Sequence, residues 1–217
     1  MQRAGYRDSL LKHCELLVPR VIVSLDIQQG ISMSAKTNSR ATVFLGGDKG
    51  IWKVDSLQTV VGEGLSQISR LTIATNSDLP KAYNWALTGV ASNVRYVERP
   101  EKNELQAIQA PLGRPIAKCA ALIPIQKSQA WWDLTQEERR EIFESKSHHI
   151  AASMKYLPAV ARQLYHSRDL GEPFDFLTWF EFAPEHKVEF EELVRNLRST
   201  EEWRFVTREI DIRLSRE

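Results

Sequence analysis

Cysteine is nearly absent from this chain: Cys14 and Cys119 stand alone among 217 residues. Neither has metal-ligand or redox spacing, so the sequence reads as two reduced thiols in a cytoplasmic protein, not a disulfide framework. Charge of one sign is lacking too. Basic residues number 29 against 28 acidic, a net charge of +1, and bulk electrostatics point to neither a nucleic acid nor a membrane. No apolar run approaches the roughly 20 residues that span a bilayer. The N-terminus scatters charges through MQRAGYRDSLLKHCELLVPR and does not read as a secretory signal. Glycines are few, and Gly46, Gly47 and Gly50 are spaced for a turn, not for a phosphate cradle. The histidines form neither HxxxH nor HExxH, and no GxSxG elbow is present.

What is present falls into three stretches. Residues 1–40 show no sustained periodicity: a short apolar patch from Leu16 to Leu25 is broken by Pro19 and followed by a serine-rich polar stretch to Arg40. They read as a poorly ordered or loosely docked extension, and Met33 is a candidate start of translation. Residues 41–112 form a first structured half. TVFLGG, DKG and IWKV read as a hairpin with a glycine-rich turn. Ile68–Ala74 reads as a short strand or a helix end, Tyr83–Val90 as a strand, Asn93–Arg99 as a loop or strand, and Glu101–Gln109 as a short helix.

Residues 113–217 are clearer. Arg114–Gln126 reads as a strand. A helix follows, opened by the capping box of Thr135 and Glu138 and closed by Pro158 after Tyr156. Val160–Ser167 and Phe174–Phe182 read as strands joined through Gly-Glu-Pro. Pro184 opens an amphipathic helix whose apolar face is Phe190, Leu193, Val194 and Leu197. Phe205–Leu214 is a last strand with Val206, Ile210, Ile212 and Leu214 on one face. The order β-α-β-β-α-β makes a ferredoxin-like unit, with the N-terminal half its reduced counterpart. The class is α+β, two sheets packing or closing into a barrel with room for a flat ligand between sheet and helix.

Two residues stand out. Arg162 sits in a strand beside a row of phenylalanines, where a guanidinium is costly without a charge partner or a wet cavity. Parity puts Arg162, Leu164 and His166 on one face and Phe174, Phe176, Thr178, Phe180 and Phe182 on one face, with Asp175 and Glu181 turned away. Either an anionic ligand or a distant carboxylate satisfies it. His149 shares a helix face with Ala152, Ser153 and Tyr156. That face is either a shelf for a porphyrin with His149 as iron ligand or an exposed His148–His149 pair. Trp131 and Trp132 fit core filling or indole donors to carboxylates. Glu202 fits a solvated glutamate or an acceptor of the second ring N–H of His149.

The strings WWDLTQEERR, SHHIAASMKYLPAVARQLYHSRDLGEPFDFLTWFEFAPE, LRSTEEWRFV and REIDIRL, with looser matches in VFLGGDKGIW, LTGVASNVRYVE and AIQAPLGRPIA, resemble the chlorite dismutases. These are haem enzymes of the dimeric α+β barrel superfamily. The likeness runs from about Thr42 to Leu214 and is greatest to the short-chain, homodimeric subgroup.

The resemblance implies haem b as cofactor and chlorite as a small anionic substrate, converted to chloride and O2. It implies His149 as the iron ligand, Arg162 as the distal arginine that turnover needs, and Glu202 as the carboxylate on the histidine. It also implies Trp131 and Trp132 near the haem, and Arg95 and Tyr96 at the propionate edge. Leu164, Thr178, Phe180 and Gln109 fall at distal positions. A coproporphyrin-type haem decarboxylase of the same superfamily is disfavoured, because such proteins usually carry an uncharged residue at the position of Arg162. A haem binder without turnover would share the histidine and its shelf, and a cofactor-free barrel protein would leave His149 at the surface.

Overall fold

The computed structural model describes residues 41–75, 82–92 and 96–217. The 1–40 extension and Arg95 therefore lie outside the described residues. Eight strands close into one barrel: β1 (Ala41–Gly47), β2 (Trp52–Val61), β3 (Arg70–Thr75), β4 (Trp85–Ala91), β5 (Cys119–Lys127), β6 (Ala161–His166), β7 (Phe176–Phe182) and β8 (Val206–Ser215). Their order around the barrel is β1-β3-β2-β8-β5-β7-β6-β4. Each half of the chain supplies four neighbouring strands, and the seams are β2 with β8 and β4 with β6. Closure removes the free edges that would otherwise invite pairing with other chains.

Alternation along each strand makes two cores. Phe44, Trp52, Leu71, Leu122, Trp179 and Ile210 fill the inside of the barrel and are almost wholly buried. The outer face of the C-terminal strands carries Ile123, Ile125, Phe180 and Phe182, and it packs on helix α5 (Lys187–Arg198) through Phe190, Leu193, Val194 and Leu197. These are the four residues whose helical spacing is visible in the sequence.

Several expectations need correction. β1 and β2 are not a hairpin: β3 lies between them and pairs with both. The glycines there serve close approach. A Cβ on Gly46 would sit 2.3 Å from the Trp85 ring, and one on Gly50 (φ +141°) would lie 2.2 Å from the Leu71 carbonyl oxygen. Val206 packs with the outer core while Ile210, Ile212 and Leu214 face inward. The register shift between Gln126 and Lys127 against β8 changes parity there. Phe174 precedes β7 and packs inside the barrel, away from the phenylalanines of the outer face.

The helix expected from Thr135 to Tyr156 is three pieces. α3 (Gln136–Arg140) starts on the Thr135–Glu138 capping box, a π-helical turn spans Glu141–Lys146, and α4 (His149–Met154) follows. Two further helices are α1 (Arg99–Ile108) and α2 (Gln129–Asp133). Among the described residues, no helix is long and apolar enough to cross a membrane.

Candidate functional site

The break before α4 determines where His149 sits. His148 takes a left-handed conformation (φ 50°, ψ 37°) and offers no side-chain cap. For a residue with a Cβ that costs on the order of 1–3 kcal/mol, and it persists only where surrounding contacts fix it. Glu144, in the π turn, supplies one: its carboxylate accepts from the backbone N–H groups of Ile150 (2.7 Å) and Ala151 (3.2 Å). His149 is thus the first residue of a short helix, not the middle of a long one. Its ring lies against Phe143, with centroids 4.3 Å apart.

Glu202, in a 3-10 turn ahead of β8, fixes the imidazole. One carboxylate oxygen lies 2.8 Å from His149 Nδ1, and the other accepts from Lys127 Nζ at 2.8 Å. The Glu202 backbone N–H donates to Ser147 Oγ at 3.1 Å. Burial alone would raise the Glu202 pKa. The Lys127 ammonium and then His149 outweigh it and hold the carboxyl at about 2. Lys127 is itself buried, its ammonium over the Trp131 ring at 4.6 Å. With Nδ1 committed to a carboxylate, Nε2 is the nitrogen left with a lone pair for a metal.

His149 and Arg162 line one cavity, partly open to solvent. It lies between the outer face of the C-terminal strands and the helices. Leu164, Thr178 and Phe180 form its strand wall beside Arg162; Trp131, Tyr96 and Glu202 line it as well. Cross-strand pairing of Arg162 with Phe180 and of Leu164 with Thr178 puts these four together, as their parity predicts. Ser153, Ile150 and Leu157 form the shelf beside His149. Tyr156, expected there, packs in the outer core instead.

Two other residues fall outside this cavity. Gln109 lines an adjoining recess that also reaches Arg162, and its Nε2 donates to the Arg162 carbonyl at 2.7 Å. Trp132 does not line either space: its indole N–H donates to Asp175 at 3.1 Å and its ring stacks on Phe176.

The polar atoms facing the cavity fall into two kinds. Glu202 and His149 satisfy one another, with Lys127 on the other carboxylate oxygen of Glu202. Arg162 Nε, Trp131 Nε1 and Tyr96 Oη are buried with no hydrogen-bond partner, and three such orphans around one space are unusual. All three are donors suited to anionic or carboxylate groups. Burial lowers the Arg162 pKa, though a guanidinium stays charged in proteins. Tyr96 is itself left-handed (φ 60°) and its carbonyl is held by Arg140, which also pairs with Glu101 at 2.7 Å. An apolar cavity with one free imidazole nitrogen and orphaned donors fits an iron porphyrin bearing carboxylates.

Lys127 and Ser147 have no counterpart in the residues singled out from sequence. Lys127 continues the face of Ile123 and Ile125 by alternation, and that charge on an apolar face was the available signal.

A family model described as chlorite dismutase matches residues 51–217. A chlorite dismutase of Ideonella dechloratans is 31% identical over 98 residues, covering 44% of this chain and 33% of that protein; the alignment thus spans about a third of the curated relative's length. The crystal structure of a dimeric chlorite dismutase from Nitrobacter winogradskyi is 62% identical, covers 81% of this chain and 99% of that chain, and superposes with a TM-score of 0.76. A variant chlorite dismutase from Candidatus Nitrospira defluvii shares the fold at 23% identity, with a TM-score of 0.57 over 82% of this chain and 92% of that chain.

Proposed function

The chain belongs to the chlorite dismutase family, and on that premise we propose that it binds haem b and decomposes chlorite to chloride and O2. One observation carries the reading: a guanidinium with a buried, unpartnered Nε lines the same cavity as an imidazole whose other nitrogen is held by a carboxylate. His149 Nε2 would hold the iron. The indole N–H of Trp131, the hydroxyl of Tyr96 and Arg95 would take the propionate edge. Bound haem supplies the oxygen-transfer chemistry at iron.

The chain's own residues do the rest. Glu202, kept ionised by Lys127, accepts the Nδ1 proton of His149 in a hydrogen bond and makes the imidazole a stronger donor to metal. Arg162 binds an oxychlorine anion and keeps it from diffusing away, because a fixed charge in a dry site is attracted to it far more strongly than in water. Leu164, Thr178 and Phe180 exclude water around that charge. Gln109 ties the Arg162 backbone to the end of α1. The strand order β8-β5-β7-β6 supports reading the C-terminal half as a ferredoxin-like unit. A homodimer in the cytoplasm with a detoxifying role completes the proposal, the dimer supported by the dimeric Nitrobacter relative.

The test is reconstitution with haem b followed by chlorite addition at an oxygen electrode. A Soret band and one O2 released per chlorite are expected. Haem uptake with no O2 would leave a binding protein, and no Soret band would reject haem altogether.

A further inference from the structure

The recess beside Arg162 adjoins the main cavity but has a largely separate lining. Val97 and Arg162 line both it and the main cavity; its other walls include Lys102, Leu105, Gln106, Gln109 and Pro111. Lys102, Leu105, Gln106 and Gln109 stand at i, i+3, i+4 and i+7, one side of α1 and its C-cap. A helix docked on a protein ordinarily turns apolar residues inward. α1 has a single buried residue, Leu105, and gives this side a cation and two amides.

The charges nearby are sorted. Glu98 and Glu101, one turn or less from Lys102, are drawn to Arg140 at 3.4 and 2.7 Å. Among the described residues, no carboxylate forms an ion pair with Lys102 or with Arg162. The recess thus carries two cations without carboxylate partners, one at its helix wall and one where it meets the main cavity.

We propose that this recess is the route by which the anionic substrate reaches Arg162, and that Lys102 is the charge that draws it in. The inference rests on the chlorite reading and adds a steering residue to it. Lys102 is half-buried, and a charge in partial contact with solvent acts mainly on encounter and is screened by salt: the Debye length falls from about 10 Å at 0.1 M to about 3 Å at 1 M.

The experiment is stopped-flow binding to the haem-loaded full chain, with azide as the anionic probe and imidazole, at about pH 8.5 where it is neutral, as the control. At low ionic strength the azide association rate should fall about fivefold in Lys102→Glu and about twofold in Lys102→Ala, stay near wild type in Lys102→Arg, and converge for all at about 1 M salt. Imidazole rates should agree within about twofold throughout. Equal azide rates in wild type and Lys102→Glu at low salt overturn the proposal, as does an equal slowing of both probes. A haem-loaded protein that releases no O2 from chlorite yet shows the charge-dependent azide rate rejects the chlorite reading and keeps the anion route. A chain that takes up no haem overturns both.

Discussion

The two sides of the cavity handle charge in opposite ways. On the helix side, Lys127, Glu202 and His149 are joined by contacts of 2.8 Å, and the carboxylate and the ammonium are almost fully buried. On the strand side, Arg162 stands among apolar residues with its Nε unpartnered. A buried polar group left without a partner costs stability. The first arrangement therefore fixes a geometry, and the second reserves a charge for something that arrives. The most damaging way to break the helix side is Lys127→Ala, which leaves the Glu202 carboxylate buried with its main counter-charge gone. Removing one member of a buried pair costs about 3–5 kcal/mol, so denaturant unfolding should show a loss of that size, with haem uptake weakened alongside.

The matching change on the strand side should spare stability and strike function. Arg162→Ala removes a charge that no protein group neutralises, so unfolding should shift little or even improve. Chlorite turnover should fall about 100-fold, comparable to removing one donor from a charge-stabilising site. The Soret band should remain. Retained turnover in this variant would reject the anion-holding role of Arg162.

This contrast explains what the sequence could and could not show. The faces of the strand wall were legible because alternation is local: parity groups Arg162 with Leu164 and Thr178 with Phe180, whereas their place at a pocket came from the family resemblance. The helix side was only partly so. The left-handed turn at His148 breaks a helix without Gly or Pro, and it is stabilised by Glu144 and by packing that propensity cannot report. Lys127 lies 75 residues from Glu202, and a lysine at a strand end ordinarily reads as solvated. In the same way, the glycines near the link from β1 to β2 suggest a reversal, yet both strands run antiparallel to β3, so the chain crosses β3 there and continues in the same direction. β3 takes the place between them through long-range packing of Phe44 and Leu71 in the barrel interior.

Acid should sharpen the comparison further. The Glu202 pKa is depressed in the fold to about 2, below the roughly 4.3 of an unfolded glutamate. Its stabilisation is fully present above that unfolded value and is lost as pH falls through about 2. Glu202→Gln lacks the contribution and should be less stable than wild type by about 2 kcal/mol at neutral pH, the scale of a hydrogen bond to a charged group. The gap should narrow steadily between about pH 5 and pH 2 in acid titrations of unfolding. A gap that stays constant across that range would show that the ionised carboxylate is not what holds Lys127 and His149 together.

The smallest effect separates two neighbouring tryptophans. Trp131 faces the cavity with its indole N–H unpartnered, whereas Trp132 donates to Asp175 and stacks on Phe176. Asp175 keeps other partners if that donor is lost: the Lys127 backbone N–H at 2.7 Å and Arg168 at 3.4 Å. Trp132→Phe should therefore cost about 1 kcal/mol, one hydrogen bond in a site that retains two, and leave the Soret band and chlorite turnover within about twofold. Trp131→Phe should leave stability nearly unchanged, because its N–H has no bond to lose, and weaken haem uptake instead. If haem titrations showed the reverse order, the cofactor would have to reach Trp132, and the cavity would have to open past Phe176 to admit it.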